Sequence, residues 1–253
     1  MKLVKRVALT LAATLLAAPA IAADPAMDGF PGGTAAPLNT SGWYLRGDIG
    51  GFAHLRSSVE GLLPNGDIRS FERERISDAL SLGGGVGYRF NEWLRADVTA
   101  EWRTPSGFKA TNSGSNYVNG FSAEKASLSS SAYMLNGYVD LGTWAGITPY
   151  LGAGIGIASK RIDTWRTQVV CFTAACTPSG PKLTLPSTSR TDLAWALMAG
   201  AGVGLADGLA LDVGYRYLDL GPMKTNRDLY GVSAKMADVR AHEARIGLRY
   251  LFP

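Results

Sequence analysis

Cysteine and histidine are scarce: the 253 residues contain two of each. A zinc site built on sulfur and imidazole needs several such ligands close together. Cys171 and Cys176 have no histidine near them, and His54 and His242 stand far apart in the chain. No metal centre and no cofactor is expected. An excess of one charge sign is also missing. Lys and Arg total 25 against 21 Asp and Glu, and Lys2, Lys5 and Arg6 all fall in the first six residues. Without those three the balance is 22 against 21, or +1. That leaves no electrostatic footprint for nucleic acid or for a basic membrane-binding face. Long apolar runs are absent beyond the N-terminus. The nearest candidate, DLAWALMAGAGVGLADGLAL, is interrupted by Asp207-Gly208, and Asp212 and Arg216 follow. A spanning helix needs about 20 consecutive apolar residues.

The N-terminus has an order of its own. Three early cations precede an apolar run that ends in Ala20-Ile21-Ala22, with small residues where a signal peptidase reads. Residues 1–22 are read as a signal peptide, so the mature chain begins at Ala23. Residues 23–41 are rich in Pro, Gly and Ala without periodicity, as in a flexible segment. Export places Cys171 and Cys176, separated by four residues, in an oxidising compartment, where a small disulfide loop is the expected state.

From Trp43 onward the dominant signal is period two. Eight stretches alternate, at roughly 42–54, 76–90, 93–104, 126–141, 147–161, 190–206, 209–220 and 239–252. In LRADVTAEWR, Leu94, Ala96, Val98, Ala100 and Trp102 take one face, and Arg95, Asp97, Thr99, Glu101 and Arg103 the other. A helix would scatter these charges around its circumference; a strand segregates them. Short connections (around Asn91-Glu92, at 142–146 and at Asp207-Gly208) alternate with long polar ones at about 55–75, 105–125, 162–189 and 221–238. This is the layout of an up-and-down antiparallel meander.

Three phrases repeat glycine at alternate positions: LGGGVGYRF (82–90), LGAGIGIAS (151–159) and AGAGVGLAD (199–207). A dinucleotide loop needs G-x-G-x-x-G opening a helix; here the spacing is G-x-G-x-G and no amphipathic helix follows. On a helix, glycines at period two circle the axis and form no stripe for close packing. On a strand they share one face, opposite Leu82, Val86 and Tyr88, or Ile155 and Ile157, or Leu197, Val203 and Leu205. If the apolar face meets lipid, the glycines point into a barrel whose interior has little room.

A soluble barrel or sandwich would also alternate, so the direction of the faces has to be decided. The charged face carries Arg46, Asp48, Arg95, Asp97, Glu101, Asp140, Asp212, Arg216, Glu243, Arg245 and Arg249, with nearly balanced signs. Were that the solvated surface, the opposite face would need a second sheet or helices to cover it. Aromatics cluster at the stretch ends: Trp43, Phe90, Trp93, Trp144, Tyr250 and Phe252 on the short-turn side, and Trp102, Trp195 and Tyr217 on the other. Transmembrane barrels place aromatic girdles at both interfaces, and strands of about 9–11 residues cross a bilayer. The fold class expected is all-β, an eight-stranded antiparallel up-and-down transmembrane barrel over 42–253, with short periplasmic turns and four long extracellular loops.

SGWYLRGDIGGF at the start, the glycine-alternating strands, and ARIGLRYLF at the end resemble the small outer-membrane β-barrel family over roughly 42–252. That family includes opacity-type surface antigens, the OmpA membrane domain and abundant outer-membrane antigens of alphaproteobacteria. The resemblance implies a bacterial outer-membrane location and a final strand read by the barrel-assembly machinery. Ile246, Leu248, Tyr250 and Phe252 match that terminal pattern, and Pro253 departs from it by one residue. It also implies a structural, surface-antigen role, with envelope integrity and loop contacts to surface or host ligands. Outer-membrane lipid is the other partner, and the protein is expected to be a monomer. No long segment follows the last stretch, so a separate peptidoglycan-binding domain is not expected.

Two other functions compete with this one. A small, low-conductance porin would need a path through the charged interior, whereas eight strands leave room only for side chains. Balanced interior charges are better read as a salt-bridged plug, because buried charges require partners. A lipid-modifying enzyme would need a nucleophile beside an oriented histidine. His54 precedes Ser57 and Ser58, and His242 precedes Glu243, but adjacent strand residues face opposite ways. No catalytic residue is assigned.

Overall fold

The computed structural model describes residues 41–253, apart from 55–58, 63–67, 71, 113–119, 172–182, 186, 226–232 and 237–238. In chain order the strands are β1 (Gly42–His54), β2 (Val59–Leu62), β3 (Ile68–Ser70), β4 (Glu72–Ile76), β5 (Ala79–Arg89), β6 (Leu94–Asn112) and β7 (Gly120–Asp140). They continue as β8 (Ile147–Cys171), β9 (Leu183–Leu185), β10 (Thr188–Ala206), β11 (Leu209–Asp219), β12 (Met223–Lys224), β13 (Ser233–Met236) and β14 (Arg240–Leu251). Eight of them, β1-β5-β6-β7-β8-β10-β11-β14, pair antiparallel with their chain neighbours, and β14 returns to β1 to close the barrel. The segment that most resembled a membrane helix runs along β10, through the Asp207-Gly208 turn and into β11.

The short turns are built as their residues require. At Asn91 the side-chain Oδ1 accepts from the amides of Trp93 and Leu94, at 3.0 and 2.8 Å, which reverses the chain between β5 and β6. Between β10 and β11, Gly208 has φ +73°, the left-handed conformation that glycine adopts without strain. The amide of Phe252 donates to Trp43 O at 2.9 Å, fastening the end of the barrel to its start beside these turns.

Alternation places the faces. Leu45, Ile49, Val86, Val98, Leu135, Ile155, Leu197, Ile246 and Leu248 are exposed outward, while Arg46, Asp48, Asp97, Thr99, Asn136 and Arg245 on the same strands are buried inside. Exposed Trp43, Phe90, Trp93 and Trp144 lie toward the short-turn end, and exposed Trp102 and Trp195 toward the other.

The long connections differ from the expectation. Stretches 105–125 and 162–189 are largely wall: β6 runs to Asn112, β7 starts at Gly120, β8 runs to Cys171 and β10 starts at Thr188. Beyond Trp102 apolar side chains move to the inner face: on β6 a bulge between Arg103 and Ser106 turns the parity of Trp102 inward by Phe108, and on β7 Leu128 takes the inner parity of Met134. Phe108, Leu128, Ile162 and Trp165 turn inward, whereas Lys109, Lys125 and Arg166 turn outward. Outside the bilayer the exterior is water, so the apolar side of the strand belongs inside. The connections at 55–75 and 221–238 also contain strand. β4 pairs with upper β6, and β12, β13, β2 and β3 form a separate four-stranded sheet.

Candidate functional site

The barrel interior has two layers. Toward the short-turn end it holds seven arginines (Arg46, Arg89, Arg95, Arg103, Arg216, Arg245 and Arg249) and six carboxylates (Asp48, Asp97, Glu101, Asp140, Asp212 and Glu243), all buried. Arg216 is the centre of the upper group. It donates to both oxygens of Glu101, each at 2.6 Å, and through Nε to Glu243 at 2.8 Å. Glu101 also meets Arg103 at 2.8 Å and Arg245 at 3.1 Å, and Glu243 bonds Ser81. Arg245 reaches on to Asp48 at 3.2 Å.

One level down, Arg46 joins Asp48 at 2.7 Å and Asp97 at 2.9 Å, and it donates to the Tyr138 hydroxyl at 2.8 Å. Asp97 accepts from the Tyr44 hydroxyl at 3.0 Å and from the Asn136 amide at 2.8 Å. Lowest, Asp140 meets Arg95 at 3.0 Å and Arg89 at 3.4 Å, and Asp212 meets Arg249 at 3.2 Å. The Arg95 guanidinium lies over Tyr138 and Tyr150, 4.3 and 4.7 Å from the ring centroids. Each buried charge thus faces an opposite charge or an aromatic face, the condition for holding so many away from water.

The glycine phrases make this network possible. In register, Gly83, Gly85 and Gly87 of β5 stand between Asp48, Arg46 and Tyr44 of β1 and Glu101, Thr99 and Asp97 of β6. With no side chain on β5, Arg46 crosses it to reach Asp97. A Cβ on Gly152 would lie 2.6 Å from the Tyr138 ring, and one on Gly200 or Gly214 would lie 2.6 Å from the Tyr150 hydroxyl. The bare strands are the slots into which the tyrosines fold.

Above the charges the interior is apolar. Phe108, Leu128, Met134, Ile162, Trp165, Leu218 and Leu220 form one cluster with Met223 and Val239. At its margin Lys160, fully buried, reaches Asp192 at 3.1 Å and donates to the carbonyls of Pro222, at 2.7 Å, and Leu220. It ties the chain leaving β11 to the wall. A gap lined by Arg46, Asp48, Tyr138, Tyr150, Met198 and Arg245, among others, has room for about one water molecule.

All eleven charges singled out from the sequence are inside, and the structure brings them into these ion-paired groups. Arg103, placed by parity on the charged face, joins them, while Arg89, Tyr44, Tyr138, Tyr150 and Asn136 carry no sequence assignment to the interior. Arg89 continues the parity of Gly87, so parity was the available signal. Ile246, Leu248 and Tyr250 point outward on β14, and Phe252 packs edge-on to Tyr250 at 5.4 Å. Cys176 lies outside the described residues, and nothing is described of the Cys171 side chain. The same holds for Ser57, Ser58 and the His54 side chain. His242 sits on the outer face between Tyr215 and Tyr217, with Nδ1 bonded to the Tyr215 hydroxyl. Glu243 faces the opposite way, to Arg216. Among the described residues no group of three or more His, Cys, Asp or Glu could hold a metal ion.

Residues 8–252 match the family model described as an outer membrane protein beta-barrel domain. An uncharacterized protein of Brucella suis is 36% identical over 248 residues, covering 84% of this chain and 85% of its own. A Rickettsia prowazekii protein, provisionally named an adhesin, is 25% identical over 82% of this chain and 86% of its own. Among solved structures, the outer membrane protein OprG of Pseudomonas aeruginosa superposes with a TM-score of 0.53 at 15% identity, covering 85% of this chain and 98% of that one.

Proposed function

Because the chain belongs to the outer-membrane protein β-barrel family, we propose that it acts as a closed structural barrel displaying tall hairpins at the cell surface. Those hairpins contact surface or host ligands, and the barrel contributes to envelope integrity. The observation that carries this reading is the filled lumen. Three stacked ion-pair groups and an apolar cluster occupy the interior, and the gap among the charges has room for about one water molecule. The provisional adhesin assignment of the Rickettsia relative supports a contact role. Residues 1–22 serve as the export signal, residues 23–41 as a flexible segment, and Ile246, Leu248, Tyr250 and Phe252 as the strand read during assembly. No step requires a catalytic group.

The test is conductance. Purified barrel added to planar bilayers is expected to give no unit steps. Steady steps whose size changes in Arg216→Gln would replace this reading with that of a small porin, because they would run past the central ion pairs.

A further inference from the structure

Above the membrane the wall carries a second charge pattern, separate from the lumen. In the register of β4, β6, β7 and β8, Arg75 stands opposite Lys109, Lys109 opposite Lys125, and Lys125 opposite Arg166. All four are exposed. They share the outer face, because their chain neighbours Ile76, Phe108, Glu124 and Trp165 turn inward. Like charges directly opposite on one sheet face weaken strand pairing, so a four-strand row of cations works against the fold that carries it. Among the described residues the other exposed arginines of the wall are neutralised: Arg161 by Asp163 at 2.7 Å, Arg190 by Asp192 at 2.9 Å and Arg240 by Asp219 at 2.9 Å. The four cations of the row have no ion-pair partner among the described residues.

Position narrows what could supply the counter-charge. Lys109 is seven residues beyond Trp102 on β6, with one bulge residue between them. At about 3.4 Å per residue and a tilt of about 40°, the row stands on the order of 15 Å above the upper aromatic belt. That is the level of glycolipid sugars, above the lipid phosphates at the boundary. Three inter-strand steps of about 4.8 Å make the row roughly 14 Å long, too long for a single phosphate. It faces sideways, along the plane of the membrane, where the neighbours are leaflet saccharides.

We propose that Arg75, Lys109, Lys125 and Arg166 form a docking ladder for the phosphorylated saccharide core of the surrounding lipopolysaccharide. Anionic groups spaced along that core meet successive rungs and replace the repulsion with attraction, anchoring the tall hairpins laterally. The inference is independent of the surface-contact role proposed above.

The test compares the full barrel, folded in neutral detergent, with a variant carrying Arg75→Gln, Lys109→Gln, Lys125→Gln and Arg166→Gln. Three probes are titrated: rough lipopolysaccharide with a phosphorylated core, lipid A without the core, and heparin as a soluble polyanion. Core-bearing lipopolysaccharide is expected to bind at least ten-fold more weakly to the variant, and its wild-type binding to weaken as salt rises. The Arg190→Gln, Arg240→Gln double variant should match wild type. Gel heat-modifiability reports folding; should the quadruple variant fail it, the Lys109→Gln, Lys125→Gln pair replaces it, with at least a three-fold loss expected. Unchanged affinity in a folded variant would overturn the proposal. So would equal ladder-dependent binding of core-free lipid A, or ladder-dependent binding of heparin with none of lipopolysaccharide.

Discussion

Val98→Arg tests the direction of the two faces. Val98 is 59% exposed and sits midway along β6 between Trp93 and Trp102. Its paired neighbours are Val86 on β5 and Leu135 on β7, both exposed on the same face. An arginine there enters hydrocarbon with only apolar side chains alongside, and the interfaces are several residues away in either direction. Mid-bilayer arginine on a barrel costs about 2–4 kcal/mol. The comparison is Thr99, the next residue, 1% exposed and turned into the lumen. Its hydroxyl accepts from Asn136 at 3.1 Å, and that amide keeps Asp97 at 2.8 Å. Thr99→Val preserves shape and removes one hydrogen bond, about 1 kcal/mol. Equilibrium unfolding in guanidinium, with the barrel in lipid vesicles and tryptophan emission as the signal, measures both. If Val98→Arg is silent while Thr99→Val prevents folding, the faces have been assigned the wrong way round.

Glu101→Gln leaves Arg216, Arg245 and Arg103 with one carboxylate fewer, and breaking such a buried group is expected to cost about 3–5 kcal/mol; a denaturation midpoint within error of wild type would refute the central role of Glu101. Gly214→Ala places a methyl against the Tyr150 hydroxyl and is expected to destabilise by about 1–3 kcal/mol. Tyr150→Phe in the same chain should recover part of that loss, and a strictly additive double variant would show that the slot is not the cause. Cys171 and Cys176 are expected to form a disulfide that closes a short loop and therefore adds little to barrel stability. Replacing both with serine should leave a heat-modifiable barrel whose loop is cut faster by protease, and two free thiols in protein purified without reductant would contradict the bond.

The sequence by itself determined what depends on parity. Alternation in 94–103 and 239–252 assigns each residue to a face, and short turns at Asn91-Glu92 and Asp207-Gly208 set which stretches are neighbours. Aromatics at the stretch ends mark where lipid begins and stops, so strand number, sidedness and membrane location were all legible. Two things were not. Partners across the lumen depend on barrel closure and register: Arg216 meets Glu101 from 115 residues away, and Arg46 meets Asp97 only because β5 presents glycines between them. The wall above the membrane was also hidden, because there the solvent outside changes from lipid to water and the apolar face turns inward at Phe108 and Trp165. On β6 the apolar parity runs on from Trp102 to Phe108, and the bulge between Arg103 and Ser106, invisible to parity, turns it inward. Only the paired strands showed that KATN and AEKAS continue the barrel and set Lys109 opposite Lys125.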